Sequence, residues 1–255
     1  MATKNEILAV RALRRRKARS LEGKFIVEGK KVVEEALSSG WQVHGLYARA
    51  DADIPDNWGA DQVTSREMER MSTLHTPPGV LAVIGMQEVP TPGPEAWLDG
   101  AAPRLAIALD GLSDPGNLGT IIRTADWFGI AGIFASTDTV DRFNPKVVQA
   151  TMGALFRVPF WQADLVETLR PFVDAGVPVS GLQMEGHSVW SRLQSPSAGG
   201  RIIVIGSESH GLSEGVKHLC SEFLHIPGEG HSESLNASMA AGIAMAVWDA
   251  GQRGR

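Results

Sequence analysis

Two rhythms of apolar and polar positions divide the chain. Up to Met86 they read as a small α/β unit. A basic helix precedes a strand at Phe25–Val27. Val32, Val33, Ala36 and Leu37 then fall at helical spacing between Lys30 and Ser39, and Gly40 ends that helix. The pattern predicts further strands at Val43–Tyr47 and Val80–Ile84, with a short helix at Arg66–Met71 between them. Pro90, Pro92, Gly93 and Pro94 then interrupt any regular element and mark a linker. From Leu105 strands and helices alternate. Strands are predicted at Leu105–Leu109, Ala131–Ala135, Val177–Ser180, Ile202–Ile205 and Phe223–Ile226. Helices are predicted at Leu118–Phe128, Pro145–Met152, Asp164–Ala175 and Leu235–Ala250. Continuous apolar strands alternating with helices predict an α/β fold whose mainly parallel sheet is covered on both faces. The expected organisation is a small domain over 1–86, a linker over 87–103 and a larger domain over 104–255.

Charge changes the picture of the first domain. The 255 residues carry 24 Lys+Arg and 29 Asp+Glu, a net −5 that argues against a polyanionic partner. The average conceals a split: residues 1–31 hold ten basic side chains and three acids, so that segment is +7 and the remainder −12. Arg14, Arg15, Arg16, Lys17 and Arg19 form a run dense enough to attract a phosphate backbone through counterion release. A solvated helix face is an equally open reading. A mitochondrial targeting segment is a third, weakened because the run leads straight into a strand. A single cysteine, Cys220, excludes an internal disulfide framework and a Cys-rich zinc site. No apolar run reaches the roughly 20 residues that span a bilayer. No secretory signal core is visible, and a cytoplasmic protein is expected.

Three segments of the larger domain combine a strand exit with glycine and polar residues, where open α/β sheets bind ligands. In the first, Asp110 to Ala125, Asn117 stands near a helix start. Arg123 follows six residues later on a different side of an otherwise apolar helix. In the second, Ile202 to Leu212, glycines five apart, Gly206 and Gly211, flank Glu208. In the third, Ile226 to Ile243, a loop opens a helix rich in small residues, with Ser234 as the expected N-cap and Asn236 in the first turn. Each alone also reads blandly: a surface arginine, a plain turn, a closely packed core helix. Other motifs fail. Gly23 and Gly29-Lys30 lack phosphate-loop spacing, and neither GxGxxG after a strand nor GxSxG occurs. His210, His225 and His231 lack metal-ligand spacing, so no metal is expected. Cys220 reads as a small core residue.

Together the three segments resemble the SpoU (TrmH-like) family of RNA ribose methyltransferases, within the SPOUT superfamily. Asn117-x-Gly119-x-x-x-Arg123, Gly206-x-Glu208-x-x-Gly211 and Ile226-Pro227 followed by Ser234-Leu235-Asn236 occur in family order. The stretch Asn144 to Val148 with Gly153 to Pro159 adds a likeness to the rRNA-type members. The N-terminal part resembles that family's ribosomal-protein-like substrate-binding domain. The resemblance implies methyl transfer from S-adenosylmethionine to a ribose 2′-hydroxyl, a deep trefoil knot around the cofactor pocket, and a homodimer. It assigns catalytic roles to Asn117, Arg123, Glu208, Ser234 and Asn236. It assigns the cofactor cradle to Gly206, Ile226, Leu235 and Asn236. RNA contacts fall to Arg123 and, with the basic run, to Arg14–Lys17 and Arg19. The chain departs from the family at Gly228, where Met is frequent, and at Ala237 and Met239, where β-branched residues are usual. Large-subunit rRNA is the first expectation and tRNA the second. The competing class is a non-catalytic RNA-binding relative acting in ribosome assembly.

Overall fold

The computed structural model describes residues 2–98, 104–193, 200–230 and 234–253. The expected linker residues 99–103 and the loop residue His231 lie outside them. The chain packs as two compact units. The first comprises Met1–Glu88 with Asp141–Arg157, and the second Val89–Val140 with Val158–Arg255.

In chain order the first unit contains α1 (Lys4–Ala12), α2 (Arg16–Glu22), β1 (Lys24–Glu28), α3 (Lys30–Ser38), β2 (Val43–Arg49), β3 (Asp61–Val63), α4 (Ser65–Met71) and β4 (Val80–Gly85). Its sheet runs β1-β4-β2-β3, with β4 antiparallel to both neighbours. Alternation along the strands sorts their side chains between two cores. Phe25, Val27, Ala82 and Ile84 meet Val32, Val33 and Ala36 of α3 on one face. Ile26, Leu81 and Val83 meet Ile7 and Val10 of α1 and Met68 and Met71 of α4 on the other. This is why these short strands read as continuous apolar runs.

The second unit continues with α5 (Glu95–Leu98), β5 (Leu105–Asp110), α6 (Pro115–Trp127) and β6 (Gly132–Ala135). Next, within the first unit, comes α7 (Pro145–Thr151). The second unit resumes with β7 (Phe160–Gln162), α8 (Leu165–Asp174), β8 (Val179–Ser188), α9 (Val189–Leu193), β9 (Arg201–Gly206), α10 (Glu214–Lys217), β10 (Glu222–His225) and α11 (Ala237–Arg253). All strands are parallel, in the order β10-β8-β9-β5-β6-β7. The central pair β5 and β9 is almost wholly buried, as parallel strands under helices must be. The last helix, α11, returns from the edge strand to pack on α6, α9, β5 and β9.

Two stretches differ from the sequence expectation. Residues 141–157, read as part of the larger domain, pack in the first unit. Phe143, Val148 and Leu155 close its core, and Phe143 lies 4.7 Å from Phe25 between ring centres. The expected linker carries α5, whose Trp97 is buried against Phe134 and Phe172 in the second core. Trp161 Nε1 also donates to the Pro90 carbonyl at 3.0 Å. A buried indole contributes more apolar contact than the prolines around it can offset by denying donors.

Candidate active site

The site stands beyond the carboxyl ends of β5, β9 and β10. Asp110 ends β5 and is itself buried; its Oδ2 accepts the Ser213 N–H at 2.7 Å, which ties β5 to the loop after β9. Gly111 turns the chain with φ +74°, in the left-handed region that favours glycine. Asp114 then caps α6 by accepting the Asn117 N–H at 2.7 Å, and Pro115 follows at the first helical position. The helix thus begins three residues earlier than its apolar spacing suggests. Asn117 lies inside the first turn, so its side chain is free for other work. The Asp-Pro pair was the signal for this start.

After β9 the chain doubles back on itself. Ser207 and Gly211 exchange both backbone hydrogen bonds, at 3.0 and 2.8 Å. A Cβ on Gly206 would sit 2.4 Å from the Gly211 carbonyl carbon. The close approach that requires glycine there is therefore made by the chain itself. The turn presents Glu208.

Asn236 caps α11, not Ser234 as expected. Its Oδ1 accepts from Ser238 N–H at 2.9 Å, Ser238 Oγ at 2.6 Å and Met239 N–H at 3.4 Å. Ser234 is exposed and makes no hydrogen bond to a described residue. The reason is geometric: Asn accepts readily from the second and third residues after it, and Ser238 doubles that contact. With Oδ1 committed to three donors, the Asn236 amide nitrogen faces the other way. It donates to Asn117 Oδ1 at 3.0 Å and to Glu208 Oε1 at 3.5 Å. Asn117 Nδ2 donates to the same Glu208 Oε1. Three segments separated by about 90 residues and about 30 residues in sequence thus meet in one directional network, Ser238 to Asn236 to Asn117 to Glu208. Glu208 Oε2 keeps its accepting capacity. Ser238 was missed in the sequence, where it looked like one more small residue of α11.

Arg123 stays apart from this network. It is exposed on α6 and makes no hydrogen bond or ion pair to a described residue, whereas Asn117 on the same helix is buried. The six-residue separation puts them on different sides. Of the basic run, two members are consumed internally. Arg19 is buried, pairs with Asp141 at 2.5 Å and donates to the Leu13 and Arg14 carbonyls. Arg14 Nη2 docks on the carbonyls that end α4, at Glu69, Arg70 and Ser72. Arg15, Arg16 and Lys17 are exposed, with no side-chain partner among the described residues.

Of the residues that the resemblance assigns to the cofactor, Ile226, Leu235 and Asn236 flank the loop after β10. Ile226 is half-buried and Leu235 is 47% exposed, which leaves apolar surface at the loop after β10. A Cβ on Gly228 or Gly230 would meet nothing, so the loop between them is open. His225 Nδ1, next to Ile226, is buried with no hydrogen-bond partner among the described residues. Cys220 has its thiol pushed up to about 11 by burial, with Asp110 adding to the effect, which disfavours the thiolate. Among the described residues no three His, Cys, Asp or Glu side chains group as metal ligands.

Comparison with known proteins places the whole chain in a family. The model of the SpoU rRNA Methylase family matches residues 104–246, more than half the chain. The chain belongs to the SpoU rRNA methylase family. It is an RNA methyltransferase. The model of the MRM3-like substrate binding domain matches residues 4–82 of this SpoU protein. A TrmH-family protein of Porphyromonas gingivalis is 38% identical, with a TM-score of 0.82 over 97% of this chain and 98% of its own. An AdoMet-bound rRNA methyltransferase from Sinorhizobium meliloti is 28% identical, with a TM-score of 0.81 over 100% and 97%. The 23S rRNA (guanosine(2553)-2'-O)-methyltransferase RlmP of Bacillus subtilis is 28% identical over 91% of this chain and 90% of its own.

Proposed function

We propose that this SpoU protein transfers a methyl group from S-adenosylmethionine to a ribose 2′-hydroxyl of large-subunit ribosomal RNA. The observation that carries the reading is the Asn117–Glu208–Asn236 network at the strand ends. The relation to RlmP and the match to the SpoU rRNA Methylase family favour rRNA over tRNA. S-adenosylmethionine is the methyl donor and supplies an electrophilic methyl on a sulfonium. Gly206, Ile226, Leu235 and Asn236 hold it.

The chemical difficulty is the nucleophile, since a ribose hydroxyl is a weak acid. The protein must orient it and stabilise the negative charge that develops on oxygen. Glu208 Oε2 accepts the hydrogen bond of the ribose 2′-hydroxyl and takes its proton as the oxygen bonds to the methyl, the donor leaving as its neutral thioether; the two asparagines fix the carboxylate from behind. Arg123 clamps a phosphate and stabilises the developing alkoxide. A guanidinium offers donors only, with no lone pair to take a proton, so its role is electrostatic. Ser234, exposed beside Leu235, is assigned a contact with substrate or cofactor; its exposure supports that role.

The protein acts as a homodimer through α6 and α11. Trp127 and Met239 on these two packed helices are 82% and 59% exposed, and a second copy would cover them. The return of α11 from the edge strand to the middle of the sheet supports the trefoil knot. Among the described residues no helix is long and apolar enough to cross a membrane. A cytoplasmic site of action follows from the rRNA substrate and the lone cysteine.

Two measurements test this. Titration calorimetry with S-adenosylmethionine is expected to give one site per protomer; no heat of binding would favour a non-catalytic RNA-binding relative. Mapping 2′-O-methyl positions in total RNA with and without the gene is expected to remove one site in large-subunit rRNA. Loss of a tRNA site alone would overturn the substrate, and loss of none the activity.

A further inference from the structure

The outer face of α1 and α2 holds a cleft of about 600 Å³, lined by Leu8, Arg11, Ala12, Arg14, Arg15, Lys17, Ala18 and Leu21. Its construction follows from helical spacing. Ile7, Val10 and Leu13 face the core of the first unit, which turns Leu8, Arg11 and Ala12 outward. Across the turn, Lys17, Ala18 and Leu21 face the same space. Leu21 is 81% exposed and Leu8 46%, though neither packs in any core of the unit. Arg14 frames the turn, its guanidinium held by the α4 carbonyls. Arg11, Arg15 and Lys17 have no side-chain partner among the described residues, and no acidic residue lines the cleft. The nearest acid on α1, Glu6, is held in a capping box with Thr3.

An apolar slot edged by unpaired cations is chemically specific. Its floor of Leu8, Ala12, Ala18 and Leu21 favours a flat, poorly hydrated group. The aliphatic stems of arginine and lysine extend that floor while their heads stay in water. The three free cations favour a backbone of closely spaced anions. One ligand joins both features: an unpaired nucleotide, base in the slot and flanking phosphates on the rim. We infer that the α1–α2 cleft captures one unstacked base of single-stranded RNA, with Arg11, Arg15 and Lys17 holding the phosphates on either side. The inference rests on the RNA reading above and deepens it. The basic helices do not merely attract RNA; they select a loop, bulge or end over a duplex.

The test uses the full chain and a single-stranded oligoribonucleotide carrying 2-aminopurine, alongside the same strand in a duplex. Wild-type protein is expected to bind the single strand more tightly and to change the 2-aminopurine fluorescence. The double variant Leu8→Ala, Leu21→Ala is expected to lose about tenfold in single-strand affinity, the order set by the apolar contact that two leucine side chains give up. It should retain the salt dependence, because the cations remain. Both leucines are exposed, so the thermal melt should not move; a moved melt directs the test to Leu21→Ala alone, which is the more exposed. The triple variant Arg11→Gln, Arg15→Gln, Lys17→Gln is expected to flatten the salt dependence by roughly two. Equal affinity of the leucine variant for the single strand overturns the base site, even where the charge variant binds weakly. So does a shift of the leucine variant from dimer to monomer, which would mean that a second copy fills the cleft. Binding of wild type to anionic phospholipid vesicles in preference to the oligonucleotide would overturn it as well. The methyltransferase reading fails separately, on the absence of any methylated RNA.

Discussion

The two units treat their polar residues in opposite ways. In the second, Asn117, Glu208, Asn236 and Ser238 are bonded to one another before any substrate arrives. In the first, Arg11, Arg15, Arg16 and Lys17 are exposed with no side-chain partner among the described residues, while their neighbours Arg14 and Arg19 are locked into the fold. The contrast follows from the two tasks. Chemistry needs groups fixed to a fraction of an ångström, so their reorganisation is complete in advance. Electrostatic capture of a flexible polyanion needs charge density, and long mobile side chains supply it. Arg123 belongs by its environment to the second kind, although it stands on a helix of the first kind of site. That placement suits a residue that meets the substrate and is not part of the scaffold.

Removing Arg19 breaks the contrast most severely. Arg19→Ala leaves Asp141 without its cation, and breaking a buried pair from one side costs about 3–5 kcal/mol. Arg16→Ala, one turn away and exposed, should stay within about 0.5 kcal/mol. Denaturant melts of the two variants decide whether the basic run is really divided between structure and surface; equal midpoints would erase the division. Next in size, Arg123→Ala should lower turnover by about 10²–10³ with an unchanged melt, as for loss of one transition-state donor. Near-normal turnover would remove Arg123 from the chemistry.

The network itself is sharpened by Ser238→Ala. Asn236 Oδ1 would still accept from two backbone N–H groups, so its amide should keep its direction while losing one bond of three. One net hydrogen bond is worth about 0.5–1.5 kcal/mol, which sets the expected loss at about three- to tenfold in kcat with KM for the methyl donor little changed. Rescue by Ser238→Thr would separate positioning from simple packing. An equal rise in KM with kcat intact would show that Ser238 shapes the cradle and not the network.

Much of this was legible in the sequence, and the failures have physical causes. The strands β1, β4, β5 and β9 are apolar on both faces, and their runs announce them. The edges were harder: β3 and β7 have three residues each, too few to show alternation. The candidate residues Asn117, Glu208 and Asn236 stood out in the sequence as members of a family pattern, but their hydrogen bonds to one another did not. They lie about 90 and about 30 residues apart, and only the sheet order brings them together. The caps were misplaced because each loop held several good candidates. Asp114 stands three residues before Asn117, and Asn236 two after Ser234, and tertiary contacts chose between them. The role of Arg19 was invisible for the same reason, since Asp141 lies far along the chain.

The smallest effect should come with acid, and it tests whether the second unit's preorganisation extends beyond its site. Arg201, Ser180 and Glu222 link β9, β8 and β10 beneath the sheet. Arg201 Nη1 donates to Ser180 Oγ at 2.6 Å and to Glu222, and Arg192 approaches Glu222 at 3.3 Å. Burial alone would raise the Glu222 carboxyl, yet the arginines and Ser180 outweigh it and hold it below the ordinary glutamate value. A carboxyl lowered on folding contributes stability that is fully present above its unfolded value. That contribution is lost as pH falls through the lower, folded value. The second unit should therefore lose stability below the ordinary glutamate range, and Glu222→Gln should flatten that slope. The change is modest because the side chain is partly exposed and salt screens it. Hydrogen exchange at β8 and β10, followed against pH, measures it. Protection that fell equally in wild type and Glu222→Gln would place the acid sensitivity of this unit in another carboxylate.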